Sequence, residues 1–109
     1  MDPHKERAIA ERARTQLGLF TIPELRAIGV SHPTIRRRVE TGAWVAVGSR
    51  TLRLAGAPRS LAVDVLAMCL DLGGVASHRT ALWLHGLAPP PSIIEITVAK
   101  GRSTMRTQP

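Results

Sequence analysis

Two short helices separated by a tight turn are the feature that most constrains the fold of this chain. Thr21 and Glu24 have the spacing of a capping box, in which the side chains satisfy backbone N–H groups at a helix start. Gly29 is placed to end that helix, because glycine tolerates the left-handed conformation of a helix terminus. Ser31 can cap the next helix, and Gly42 is expected to end it. This spacing predicts a helix-turn-helix.

The segments on either side complete a small domain. Residues 2–17 have helix-forming composition, and Ile9 and Ala13 lie four apart on one predicted face. Residues 44–54 form two β-rich runs around Gly48-Ser49, which is the pattern of a hairpin. A hairpin directly after the second helix of such a motif is typical of a wing.

The second half of the chain has a different character. It is predicted to contain a helix over 60–72 that is apolar nearly all round, a short helix over 77–84, a strand over 93–98, and a polar, basic end from Lys100 onward. The expected fold is therefore mainly α with a small β wing. A winged helix-turn-helix over residues 1–55 is followed by an incomplete α/β segment over residues 59–109.

Charge indicates the kind of partner. The 109 residues carry a formal net charge of +7, and residues 1–55 account for most of it, with ten basic and five acidic side chains. This excess favours a polyanion, with nucleic acid ahead of an anionic membrane surface. Aromatic residues make up only 3% of the chain, which argues against single-strand binding by base stacking.

Catalytic and metal-binding patterns are absent from the sequence. His78 and His85 are seven residues apart, too far to share one ion without further ligands. Cys69 is the one cysteine, so an internal disulfide is excluded and a cytoplasmic location is expected. No apolar run is long enough to cross a membrane. We expect no metal, no cofactor and no catalytic residue, and predict that the chain is not an enzyme.

The third helix carries the main candidate site. At about 100° per residue, Ile35 and Val39 face the core and Arg37 lies opposite them, with Arg36 and Arg38 on the two flanks. Such a helix fits the major groove of DNA. The alternative for this triple arginine is a solvated helix face, paired with Glu40.

Each candidate has an expected DNA contact. Arg37 can donate paired hydrogen bonds to guanine, Thr34 can contact a thymine methyl or a base edge, and Arg36 and Arg38 can bind phosphates. The helix N-terminus at Ser31 is a second phosphate site. The predicted DNA-binding set is Ser31, His32, Thr34, Arg36, Arg37 and Arg38, with Arg50 and Arg53 of the wing.

Two runs of residues resemble a known family. The first comprises Gly18 to Phe20, Thr21-x-x-Glu24-Leu25, Gly29-Val30-Ser31, Ile35-x-Arg37-Arg38-Val39 and Gly42-x-Trp44-x-x-Val47; the second comprises Ala76-Ser77-His78-Arg79-Thr80-Ala81-Leu82-Trp83-x-His85-Gly86-Leu87 and Ile94-Glu95-Ile96-Thr97-Val98. In order, they resemble antitoxins of the AbiEi family of type IV toxin–antitoxin systems.

The resemblance implies an antitoxin that binds inverted repeats in double-stranded DNA and represses its own operon. It also implies a functional link to a nucleotidyltransferase toxin, which is counteracted without a stable complex. Members of the family usually continue into a larger C-terminal domain. Two copies of so small a domain are expected to share an inverted repeat, so a homodimer is expected.

Two alternatives stay open at this point. The chain can instead be a protein-interaction module, since the apolar fourth helix at 60–72 offers a dimer or domain interface. It can also be the DNA-targeting part of a nuclease whose catalytic domain is absent.

Overall fold

A computed structural model describes residues 1–98 and 103–107 of the chain. They form two compact units, Met1–Pro58 and Arg59–Pro109. The helices are α1 (Pro3–Thr15), α2 (Ile22–Ile28), α3 (His32–Glu40), α4 (Leu61–Leu72) and α5 (His78–Leu84), and the strands are β1 (Leu19–Thr21), β2 (Trp44–Ala46), β3 (Thr51–Leu54), β4 (Gly74–Ala76), β5 (Ile94–Val98) and β6 (Ser103–Thr107). The architecture is thus a mixture of helices and small antiparallel sheets.

Side-chain caps fix where the helices of the first unit begin. The Asp2 carboxylate accepts a hydrogen bond from the His4 backbone N–H at 2.8 Å and starts α1. Thr21 and Glu24 form the predicted capping box at α2, and Gly29 ends that helix in the left-handed region with φ of 100°. The predicted capping box of α2 is therefore confirmed.

A three-stranded antiparallel sheet closes the first unit. β2 and β3 form the predicted hairpin, and β1 pairs with the other edge of β3, so that the strand order is β1-β3-β2. Strand β1 has no counterpart among the predicted elements. With only three residues, β1 is too short to show the alternation of apolar and polar side chains that indicates a strand. Its partner β3 also lies some thirty positions away in the chain.

The core of the first unit brings the three helices and the sheet together. Its buried residues come from every element, and Phe20 meets Trp44 edge-on with ring centroids 5.1 Å apart. Such a pair contributes about 0.5–1.5 kcal/mol beyond its buried area. The buried set is Ile9, Ala13, Phe20, Leu25, Val30, Ile35, Trp44 and Leu52.

The second unit is built on a separate sheet with the strand order β4-β5-β6. Ile94 and Ile96 of β5 point into its core, where they meet Val65 of α4. Ser60 caps α4 by accepting a hydrogen bond from the Val63 N–H at 3.2 Å. Helices α4 and α5 and strand β5 agree with the predictions.

Two strands of this sheet were not predicted. β4 lies in the region expected to be a Gly-rich break, and β6 lies in the segment expected to be a polar end. Both pair with β5, so the segment is more regular than the sequence indicates. The part of that polar end at Lys100, Gly101 and Arg102 lies outside the described residues.

The dimer or domain interface suggested for helix α4 stays a prediction, and the side chains of this helix are at most partly exposed. All twelve of its residues are buried or partly buried. Among the residues of this unit whose burial is described, 59–98, the large exposed apolar side chains lie on β4, α5 and the loop that follows α5, and they are Val75, Leu82, Leu84, Leu87 and Ile93.

Candidate nucleic-acid interface

The outer face of α3 is basic and open to solvent. Arg36 and Arg37 are both exposed, and neither side chain has a hydrogen-bond or ion-pair partner within residues 1–98 and 103–107. Glu40, the partner suggested by the alternative interpretation, is exposed but forms no ion pair with either arginine in the described part of the chain. Both guanidinium groups are therefore available to an anion.

The N-terminus of α3 is capped from within. The Ser31 hydroxyl accepts a hydrogen bond from the Thr34 N–H at 3.4 Å and lies 2.9 Å from the Thr34 hydroxyl. Thr34 is partly buried, whereas Ser31 and His32 are exposed. Ser31 and Thr34 thus act first on each other, and a ligand at this end would meet Ser31 and His32.

Arg38 is used inside the unit rather than on its surface. Its guanidinium forms an ion pair with Glu6 of α1 and lies over the Trp44 ring, with the Arg38 Cζ 5.4 Å from the ring centroid. The Glu6 carboxylate thus offsets the Arg38 charge, and the Arg38 side chain is 28% exposed. Its expected phosphate contact stays a prediction.

Arg53 also makes contacts within the first unit. It lies on the central strand β3, where its Nη1 donates to the backbone carbonyls of Leu54 at 3.2 Å and Ala57 at 3.1 Å. The side chain is partly buried and contacts the turn after the hairpin, while its expected contact with DNA stays a prediction. Arg50 lies exposed at the end of the hairpin loop and has an interaction within the structure.

Helix α1 supplies charged contacts that sequence reasoning missed. Lys5 donates from its Nζ to the Gly29 carbonyl in the turn between α2 and α3, at 2.9 Å. Arg12 Nε lies 3.4 Å from a Glu24 carboxylate oxygen at the start of α2. Since these partners lie up to 24 positions away in the sequence, no local pattern could have found them.

The second unit contains a shallow cavity of about 440 Å³. It lies between α5 and the proline segment, and its lining residues are Arg79, Leu82, Ala88, Pro89, Pro90, Pro91, Ser92, Ile93 and Glu95.

Across residues 1–98 and 103–107, no three or more His, Cys, Asp or Glu side chains are gathered as metal ligands. Within the same ranges, no helix has the length and apolar character needed to cross a bilayer.

Comparisons with protein-family models, with curated proteins and with solved structures give no match to this chain. The site is therefore interpreted from its own residues.

Proposed function

We propose that residues 1–58 are a winged helix-turn-helix domain that binds double-stranded DNA, with α3 in the major groove. The observation that carries this proposal is the pair of exposed, unpartnered guanidinium groups of Arg36 and Arg37 on one face of α3. The element order supports it, because a tight turn joins α2 to α3 and a hairpin follows directly.

Different contacts are assigned to the two arginines. Arg37 lies opposite the buried face of α3, which contains Ile35, and so points toward base edges, where it can donate two hydrogen bonds to guanine. Arg36 lies about 80° from the core direction and can reach a phosphate at the groove wall. Arg50 is assigned to the backbone beside the hairpin, and Ser31 and His32 to a phosphate at the helix N-terminus.

We further propose that the protein is a transcriptional repressor of its own operon and the antitoxin of a type IV toxin–antitoxin system. This part rests on the resemblance to AbiEi family antitoxins, and it implies a functional link to a nucleotidyltransferase toxin and a cytoplasmic location. Two copies on an inverted repeat would read a longer site than one small domain can.

The test compares two single-arginine variants across a salt series. Binding is measured to the duplex upstream of the protein's own gene and to a scrambled duplex, using fluorescence anisotropy of labelled DNA. Arg37→Ala should lose most of the preference for the upstream duplex, a loss of about 1–3 kcal/mol, and keep weak, salt-sensitive binding to both.

Arg7→Ala is the matched control. Arg7 is exposed on α1 and has no partner among the described residues, so this variant removes the same charge from a different helix. It should keep the preference for the upstream duplex. Equal losses in Arg7→Ala and Arg37→Ala, or no preference in the wild type, would refute reading by α3.

A protein-binding role for the second unit is the second candidate function, favoured by its exposed apolar side chains. Leu87 is 73% exposed and Val75 66% exposed, while Leu82 and Ile93 line one cavity, and apolar side chains exposed together can form an interaction surface. Self-association measured by sedimentation velocity should weaken in Leu87→Ser if this surface forms the expected homodimer. Unchanged sedimentation at all concentrations would argue against that role.

A further inference from the structure

Glu6 is an acidic residue that joins three separate parts of the first unit. It lies on α1, its ion-pair partner Arg38 lies on α3, and the ring beneath Arg38 belongs to Trp44 of β2. Trp44 is itself 2% exposed and packed edge-on against Phe20. The Arg38 guanidinium is thus held by a carboxylate from one element and by the face of a fixed ring from another.

The remaining attachment of α3 to the core is narrow. Ile35 is its one fully buried residue, and Val39 is partly buried on the same face. The apolar stripe determines which side of α3 faces the core, and contacts on its flanks further restrict rotation of the helix about its axis. Arg38 lies about 80° from that stripe, so its ion pair with Glu6 resists such a rotation.

We propose that Glu6, acting through Arg38, is a positioning residue that sets the orientation of α3 and therefore the protein's discrimination between DNA sequences. The inference rests on the proposed DNA-binding function. Base-edge hydrogen bonds need their donors within about 0.5 Å and 10–20° of the productive geometry, whereas phosphate contacts tolerate more movement. Loss of the Glu6–Arg38 pair should thus weaken base reading by Arg37 more than it weakens binding to the DNA backbone.

Charge alone predicts a different result for Glu6. Its removal takes a negative charge from the protein and releases Arg38 for a phosphate, which would strengthen binding to every duplex. A positioning role predicts that the same substitution lowers the ratio of affinities for preferred and scrambled DNA. Charge therefore predicts a higher affinity for both duplexes at an unchanged ratio, whereas a positioning role predicts a lower ratio.

The experiment uses the full chain and a duplex enriched from a random-sequence pool by the wild-type protein. Dissociation constants for this duplex and for a scrambled one give a discrimination ratio for each variant. Glu6→Gln should lower that ratio at least about fivefold, the value of one weakened base contact, while binding to scrambled DNA stays equal or strengthens.

Glu11→Gln is the matched control on the same helix. Glu11 is exposed and pairs with Arg14 of α1, at 2.5 Å, rather than with α3. It removes an identical charge and should leave the discrimination ratio within about twofold of the wild type.

A double-variant cycle tests whether Glu6 acts through Arg38. Arg38→Gln and the combined Glu6→Gln/Arg38→Gln variant should lose the same discrimination as Glu6→Gln, because the pair works as a unit. Losses that add, or an unchanged ratio in Glu6→Gln beside a discriminating wild type, would overturn the positioning role and leave the proposed function standing. A wild type that enriches no duplex would overturn both.

Discussion

The two units present different surfaces to water. The first has ten basic side chains against five acidic ones, and its large exposed apolar residues are confined to Met1, Leu17 and Val47 among the residues described. The second carries a smaller charge excess, and its described residues expose five large apolar side chains between Val75 and Ile93.

The difference teaches how each unit uses its charges. In the first unit, Lys5, Arg12 and Arg38 are engaged with a carbonyl or a carboxylate, which leaves Arg36 and Arg37 free on a supported helix. The buried residues at the centre of the second unit are aliphatic, namely Val65, Ile94 and Ile96. The first surface suits an anion, and the second suits an apolar partner.

Substitutions in the two cores should both lower stability strongly but should differ in their effect on DNA binding. Phe20→Ala should destabilise the protein by about 3–5 kcal/mol, because it empties the centre of the first core and removes the ring packed on Trp44. It should also abolish DNA binding. Ile96→Ala in the second core should cost about 2–5 kcal/mol and leave DNA affinity unchanged.

Urea unfolding followed by circular dichroism, together with DNA titration, checks both variants. The comparison between the units would break if Ile96→Ala weakened DNA binding as much as Phe20→Ala does.

A smaller effect distinguishes the helix caps. Ser31→Ala in the first unit should cost about 1 kcal/mol, because its hydroxyl caps α3. Ser77→Ala in the second unit should change the free energy of unfolding by less than about 0.5 kcal/mol, since the Ser77 hydroxyl is buried without a hydrogen-bond partner among the described residues. Equal losses in urea unfolding would contradict this distinction.

The smallest effect concerns pH and belongs to the second unit alone. Burial raises the pKa of the Cys69 thiol, and a hydrogen bond with the Ala76 backbone partly opposes this rise. The folded state therefore holds the proton more tightly. The protonated Cys69 thiol therefore contributes fully to the free energy of unfolding below its ordinary pKa of 9.0, and this contribution is lost as the pH rises through the higher pKa of the folded state.

Replacing the thiol isolates this contribution. Cys69→Ala should lose stability less steeply than the wild type above pH 9.0, as measured by urea unfolding at a series of pH values. Matching slopes for the two proteins would show that the thiol has no such role.

Local signals account for what the sequence predicted correctly. Asp2, Thr21, Ser31 and Ser60 each cap a helix within three residues, so the helix starts could be read without knowledge of the fold. The strands β1 and β4 could not, because each has three residues and exists only through pairing with a distant strand.

The arginines of α3 also differ in a way that depends on residues distant in the sequence. Arg36 and Arg38 are equivalent on a helical wheel, each about 80° from the core direction. They differ in the structure because α1 and β2 lie on the side of Arg38, where Glu6 and Trp44 are found. Tertiary packing decides which flank of α3 faces a neighbouring element, and this cannot be predicted from the periodicity of the helix alone.

Intrinsic tryptophan fluorescence can report on the first unit of this protein. The chain has two tryptophans and no tyrosine; Trp44 lies buried in the first unit and Trp83 packs partly buried in the second. Trp83→Phe would leave intrinsic fluorescence from the first unit alone, with the emitting indole directly beneath the Arg38 guanidinium. Events at α3 can then be followed as changes in emission, on unlabelled protein and without interference from the second unit.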